Sequence, residues 1–266
     1  MSLRIYAVAY LIFLYAPIAL LPMFAFNDAT IIAFPLSGFT TKWFEELTQN
    51  SALHAAVQNS LFIAAMTAIF STLLGMCAAR AGALDSFPGK RGITGFVMLP
   101  LVLPEIIVAV SLLVILRQVL GLQLSNWTII LAHTLICTPF SIAILNGAFQ
   151  NLDPAMEEAA LDLGESRWSA FRLVTLPLVM PGIVASLLIA FTISLDEFII
   201  AFFLTGNSPT MPVYIWGLLR FPASLPVVMA LGTILIALSV VLLTVAEIFR
   251  RRGVRRSGHE DTGGFL

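Results

Sequence analysis

Charge is scarce in this chain: Asp, Glu, Lys and Arg together make up 11% of its 266 residues, against about 25% in an ordinary soluble domain. The formal net charge of −1 leaves no basic excess. No Lys/Arg-rich stripe interleaves with aromatics, so nothing in the chain speaks for a nucleic-acid partner. Cysteine is nearly absent as well. Cys77 and Cys137 both lie inside apolar runs with no His or Cys at metal-ligand spacing, and they read as buried, unreactive thiols. Missing too are the G-x-x-x-x-G-K-[ST] phosphate loop, the H-E-x-x-H zinc motif and the G-x-S-x-G nucleophile turn. The chain therefore has no phosphate loop for ATP, and enzyme readings lack a nucleophile or a metal. No metal or cofactor is expected. There is no low-complexity tract, no visible second domain and no convincing repeat between the halves.

What the chain has in abundance is apolar sequence, 59% by count. Runs near the ~20 residues that span a bilayer recur at 5–26, 58–79, 93–116, 127–147, 181–203 and 227–249, which predicts an all-α integral membrane protein with six transmembrane helices in one domain. The first run is too long for the apolar core of a signal peptide, contains Pro17 and Pro22, and lacks a following A-x-A site, so it reads as a retained span. Lys and Arg set the orientation. With a cytoplasmic N-terminus, that side receives Arg4, Arg80, Lys90, Arg91, Arg167, Arg172 and the Arg250–Arg256 cluster, and the other side receives only Lys42, Arg117 and Arg220. Both termini then lie in the cytoplasm.

Residues 153–177 form a polar, helix-forming island between two apolar runs. Asp153-Pro154 is a helix start, with an Asp cap and Pro at the first helical position. Met156, Ala159, Ala160 and Leu163 recur at helical spacing, with acids between them. Gly164 is a natural stop. Ser166 can cap a second short helix bearing Trp168 and Phe171 and ending before Pro177. An amphipathic helix lying on the membrane surface usually carries Lys and Arg on its polar face, whereas the first helix here carries only acids.

Glu158-Ala159-Ala160, then Gly164, then Val174-Thr175-Leu176-Pro177 resembles the EAA loop of ATP-binding-cassette (ABC) importer permeases, with Val174 where the usual pattern has Ile. The resemblance implies a type I ABC importer permease fold in a bacterial cytoplasmic (inner) membrane, with the loop serving as a cytoplasmic coupling helix. Glu158, Ala159, Ala160, Gly164 and Pro177 would then be the coupling residues. The partners it implies are a cytoplasmic ATPase dimer seated on that helix, a second permease subunit that is related but not identical, and a periplasmic or extracellular solute-binding protein. Three further stretches resemble the spermidine/putrescine importer group: Gly38-Phe39-Thr40-Thr41-Lys42-Trp43, Leu103-Pro104-Glu105-Ile106-Ile107 running into Ser111-Leu112-Leu113-Val114, and Phe191–Phe198 followed by Thr205-Gly206. These imply a polyamine as cargo, or another small cationic or amine-containing solute such as an opine-like compound. A stand-alone secondary transporter or channel is the competing class, and such a protein does not require a coupling helix.

Ionisable residues within a span mark pathways by default. At ~1.5 Å rise per residue, Glu105, His133, Asp196 and Glu197 all fall roughly 18–24 Å above the cytoplasmic side of a ~30 Å core. A shared anionic layer of this kind would replace the lost hydration of a polyamine. Each residue has a structural alternative. Glu105 can accept amides freed around Pro100 and Pro104. His133 can bridge helices, and one of Asp196 and Glu197 can pair elsewhere, since neighbours on a helix point ~100° apart. Tyr214 and Trp216, like Trp127, either form an interfacial aromatic belt or make cation–π contacts with an amine. The topology itself is testable. A reporter fused after Asn50 should report an external location and one after Arg256 a cytoplasmic location; an external tail would overturn the six-span count.

Overall fold

The computed structural model describes residues 2–84 and 88–257. Two compact units emerge. The first is made by the chain ends, residues 1–51 and 215–266. It contains α1 (Ser2–Ala25), α2 (Lys42–Gln49) and α12 (Leu225–Ser257), with α1 and α2 both packing along α12. Gly232 lets α12 approach α1 closely, because a Cβ there would stand 3.2 Å from Leu21. Buried Asn27 shapes the segment between α1 and α2. Its side-chain oxygen accepts from the amide and hydroxyl of Ser37 at 2.9 and 3.2 Å, and its carbonyl accepts from the Trp43 indole at 2.8 Å. Lys42 pairs with Asp28. The stretch 38–43 thus closes a loop onto Asn27.

The second unit, residues 52–214, runs from α3 (Ser51–Leu84) into the first half of α11 (Met211–Leu218). Its centre is α6 (Asn126–Gln150), which carries buried residues along its length from Thr128 to Phe149. Small residues let its neighbours come close, the usual device where lipid gives no hydrophobic drive to association. An added Cβ at Gly75 of α3 would lie 2.6 Å from Ser141 Cβ, and one at Gly182 of α9 (Leu176–Asp196) would lie 2.6 Å from Ala148 Cβ. The Thr72 and Ser186 hydroxyls, 2.9 Å apart, join α3 to α9 directly. Ile63, Ile129, Ile130, Ala190 and Ile200 fill the core between these helices. Cys137 is buried as expected, but Cys77 is exposed, on the outward side of α3 with Leu73 and Leu74.

Among the described residues, five helices are long and apolar enough to cross a membrane, and a bent pair makes a sixth crossing if counted as one span. That pair departs from the straight rod expected over 93–116. Residues 90–101, comprising α4 (Lys90–Met98) and a terminal 3-10 turn, meet residues 105–119, comprising α5 (Glu105–Val114) and a wide π-turn, at 101°. Pro100 and Pro104 explain the elbow: neither has an amide proton, and each disfavours helix in the residue before it. The run 181–203 is also broken. Helix α9 stops at Asp196, Glu197 is extended, and α10 restarts at Ile199–Leu204.

Residues 153–177, the candidate coupling segment, follow their sequence signals closely. Helix α7 is Pro154–Asp162, Asp153 accepts the Ala155 amide at 3.0 Å, Gly164 sits at φ +91°, and Ser166 caps α8 (Arg167–Ala170) through the Ser169 amide. The expected stop before Pro177 does not occur. Helix α8 runs through a π-turn at Phe171–Thr175 straight into α9, giving one helix from Arg167 to Asp196. The widened turn lies where the Pro177 ring would otherwise press on the carbonyl four residues back.

Gly75→Val should destabilise the second unit by about 1–3 kcal/mol through overpacking, whereas Gly147→Val, with open space around its Cβ, should cost only the weaker helix propensity. Thermal unfolding in detergent would compare the two; equal melting temperatures would contradict the close α3–α6 contact.

Candidate functional site

Two clusters of polar side chains stand out in the second unit. The first is built on the coupling segment. No residue of α7 is buried. Glu158, Ala159 and Gly164 are exposed, Ala160 is half-buried, and Pro177 is exposed at the start of α9. Leu163 and Trp168 are 87% and 71% exposed. These two apolar side chains share their exposed segment with the exposed acids Glu158, Asp162 and Glu165.

Glu157 differs from its neighbour. It turns inward and takes the Arg80 guanidinium on both oxygens, at 2.6 and 3.2 Å, while the Thr175 hydroxyl donates to Oε2 at 2.7 Å. The hydrogen bond from Arg80 holds the Glu157 carboxyl below the usual glutamate range, with Thr175 and the positive charge of Arg167 acting in the same direction. Sequence reasoning missed this residue, reading it as one more acid on a polar helix. The available signal was Arg80, a cation at the end of an apolar run, with a hydroxyl at Thr175 inside the same motif.

The second cluster lies at the break between α9 and α10. The Glu197 carboxylate accepts the amides of Ile200 and Ala201 at 3.0 and 3.1 Å, capping α10. Fully buried His133 of α6 places Nε2 3.4 Å from Glu197 Oε2, and its Nδ1 is 2.8 Å from the Ser194 hydroxyl. His133 therefore bridges α6 to both sides of the break. Asp196 and Glu197 part company: Glu197 is buried and Asp196 is exposed. Glu105 is also exposed, in the first turn of α5, where a carboxylate suits the helix N-terminus. It does not take the amides freed at the elbow; those of Ile107 and Val108 go to the Pro104 carbonyl. Glu105 and Asp196 form no side-chain hydrogen bond or ion pair with other described residues. Of the layer read from straight spans, the structure brings together His133 and Glu197. The elbow removes the straight-rod geometry from which the depth of Glu105 was read, whereas Asp196 ends α9 immediately before the break. Tyr214 is half-buried at the end of the second unit, and Trp216, exposed, belongs to the first.

Residues 71–255 match the family described as binding-protein-dependent transport system inner membrane component. The chain belongs to that family. This permease is 36% identical over 247 residues to the spermidine/putrescine transport system permease protein PotC of Shigella flexneri, which spans 92% of each chain. It is 35% identical over 261 residues to the putrescine transport system permease protein PotI of Escherichia coli K12, again covering 92% of both. Among solved structures, it resembles a chain of a bacterial ABC transporter involved in import of the acidic polysaccharide alginate, with TM-score 0.73, 22% identity and 94% coverage of each chain. The permease thus has the type I ABC importer fold and is a multi-pass inner-membrane transport component.

In this permease Glu197→Ala should leave the amides of Ile200 and Ala201 without their acceptor, at about 1–3 kcal/mol for each unsatisfied group, while Asp196→Asn should change stability by under about 0.5 kcal/mol. Melting curves of the purified complex decide it. A Glu197→Ala variant as stable as the wild type would remove the capping role.

Proposed function

We propose that this chain is the permease subunit of a polyamine importer, forming half of a translocation path and driven by a separate cytoplasmic ATPase dimer. The observation that carries the proposal is its identity of 36% to a spermidine/putrescine permease over nearly its whole length. In this reading the exposed face of α7, with Glu158, Ala159 and Ala160 beside the Gly164 turn, seats on the ATPase. A second, related permease completes the path, a solute-binding protein delivers cargo, and both termini are cytoplasmic. Asp196 and Glu105 supply the negative charge that a desolvated ammonium needs; Tyr214 and Trp216 supply aromatic faces for cation–π contact. Glu197 and His133 serve the same path indirectly, by holding the break that presents Asp196.

The test is ATP-dependent uptake of labelled spermidine and putrescine into proteoliposomes containing all partner subunits. Glu158→Lys and Gly164→Asp should abolish uptake while the chain remains inserted, the first by reversing charge at the ATPase contact and the second by straining a left-handed backbone. Asp196→Asn should lower uptake roughly tenfold or more, the value of one hydrogen bond to a charged group, and more for spermidine than for a singly charged amine. Normal coupling in both loop variants would refute the α7 contact. Equal uptake of polyamines and neutral solutes would refute the substrate.

A further inference from the structure

The coupling helix needs a mechanical attachment to the spans, and apolar packing does not supply it, since α7 buries no residue. What joins it to α3 is one carboxylate. Glu157 of α7 grips Arg80 near the end of α3 through both oxygens, and one of these oxygens also takes the hydroxyl of Thr175, the last residue of the π-turn leading into α9. The guanidinium carbon of Arg80 lies 4.6 Å from the ring centre of Phe171, which opens that turn. Three elements therefore meet on one ion pair whose side chains are only 21% and 23% exposed. A bidentate arginine–carboxylate fork resists rotation as well as separation, and the Phe171 ring lies against the guanidinium. Such a joint transmits displacement in a way that a single flexible lysine contact would not.

We propose that Glu157 and Arg80 are the positioning pair that carries movement of α7 into α3 and α9, with Thr175 and Phe171 aligning the pair. This rests on the coupling-helix reading of α7 and deepens it. Glu158, facing out, meets the ATPase; Glu157, facing in, pulls on the membrane helices. With the inner joint broken, α7 follows the ATPase while the spans stay behind, and ATP is consumed without solute passage.

The test uses the complete complex in proteoliposomes, with uptake and ATP hydrolysis measured on the same vesicles. Glu157→Gln and Arg80→Met should each lower solute moved per ATP roughly tenfold, the value of one hydrogen bond to a charged group, with the ATPase still co-purifying at wild-type stoichiometry. The swapped variant Arg80→Glu with Glu157→Arg should recover most of the ratio, which a merely structural defect would not do. Thr175→Val, which removes one hydroxyl and keeps the ion pair, should give a smaller drop in the same ratio and keeps the test available if the charge variants do not assemble. An unchanged ratio in assembled single variants, or a swap no better than either single change, overturns the proposal. Failure of the coupling-helix reading has a different signature: Glu158→Lys would then retain full uptake and full ATPase association.

Discussion

Within hydrocarbon no water is at hand to satisfy a backbone amide, so every interruption of a helix must carry its own hydrogen-bond partners. That constraint organises the second unit. At the break between α9 and α10, Glu197 supplies both acceptor oxygens to α10, and His133 of α6, hydrogen-bonded to Ser194 of α9, stands 3.4 Å from the carboxylate. At the elbow between α4 and α5 the solution is different. Two prolines remove amide donors outright, the Pro104 carbonyl takes the amides of Ile107 and Val108, and the Leu99 carbonyl takes those of Val102 and Leu103. A third irregularity, the π-turn before Pro177, keeps the helix continuous by widening it. In each case a proline or an extended residue creates the irregularity, and local polar groups make it tolerable.

The ends of the coupling segment were legible because capping chemistry is local: Asp153, Pro154, Gly164 and Ser166 act on residues within one turn of themselves. Its inner attachment was not legible, because Arg80 and Glu157 are far apart in the chain and nothing in a helical pattern says which of two adjacent glutamates turns inward. The spans were readable as apolar runs, while their breaks were not. Pro104 was visible, but whether a proline kinks a helix or folds it through 101° depends on what packs into the angle. Asp196 and Glu197 show the same limit. Helical geometry said that they diverge; only the tertiary placement of His133 decides that Glu197 is the inward one.

The alginate-importer chain has the same fold at 22% identity, although that transporter handles an acidic polysaccharide and the polyamine permeases are named for cationic amines. Architecture therefore does not select cargo charge. Exposed Asp196 and Glu105 form no side-chain hydrogen bond or ion pair with other described residues, whereas buried Glu197 caps α10.

The close contacts Gly75–Ser141 and Gly182–Ala148 leave α3, α6 and α9 no room for a larger side chain where they touch. Helices in such contact cannot rotate about their own axes without collision, because packed interiors change arrangement in discrete steps. The trio is a chassis. Only side chains as small as glycine, alanine and serine fit at these contacts. A larger residue there would have to push two helices apart along their shared length.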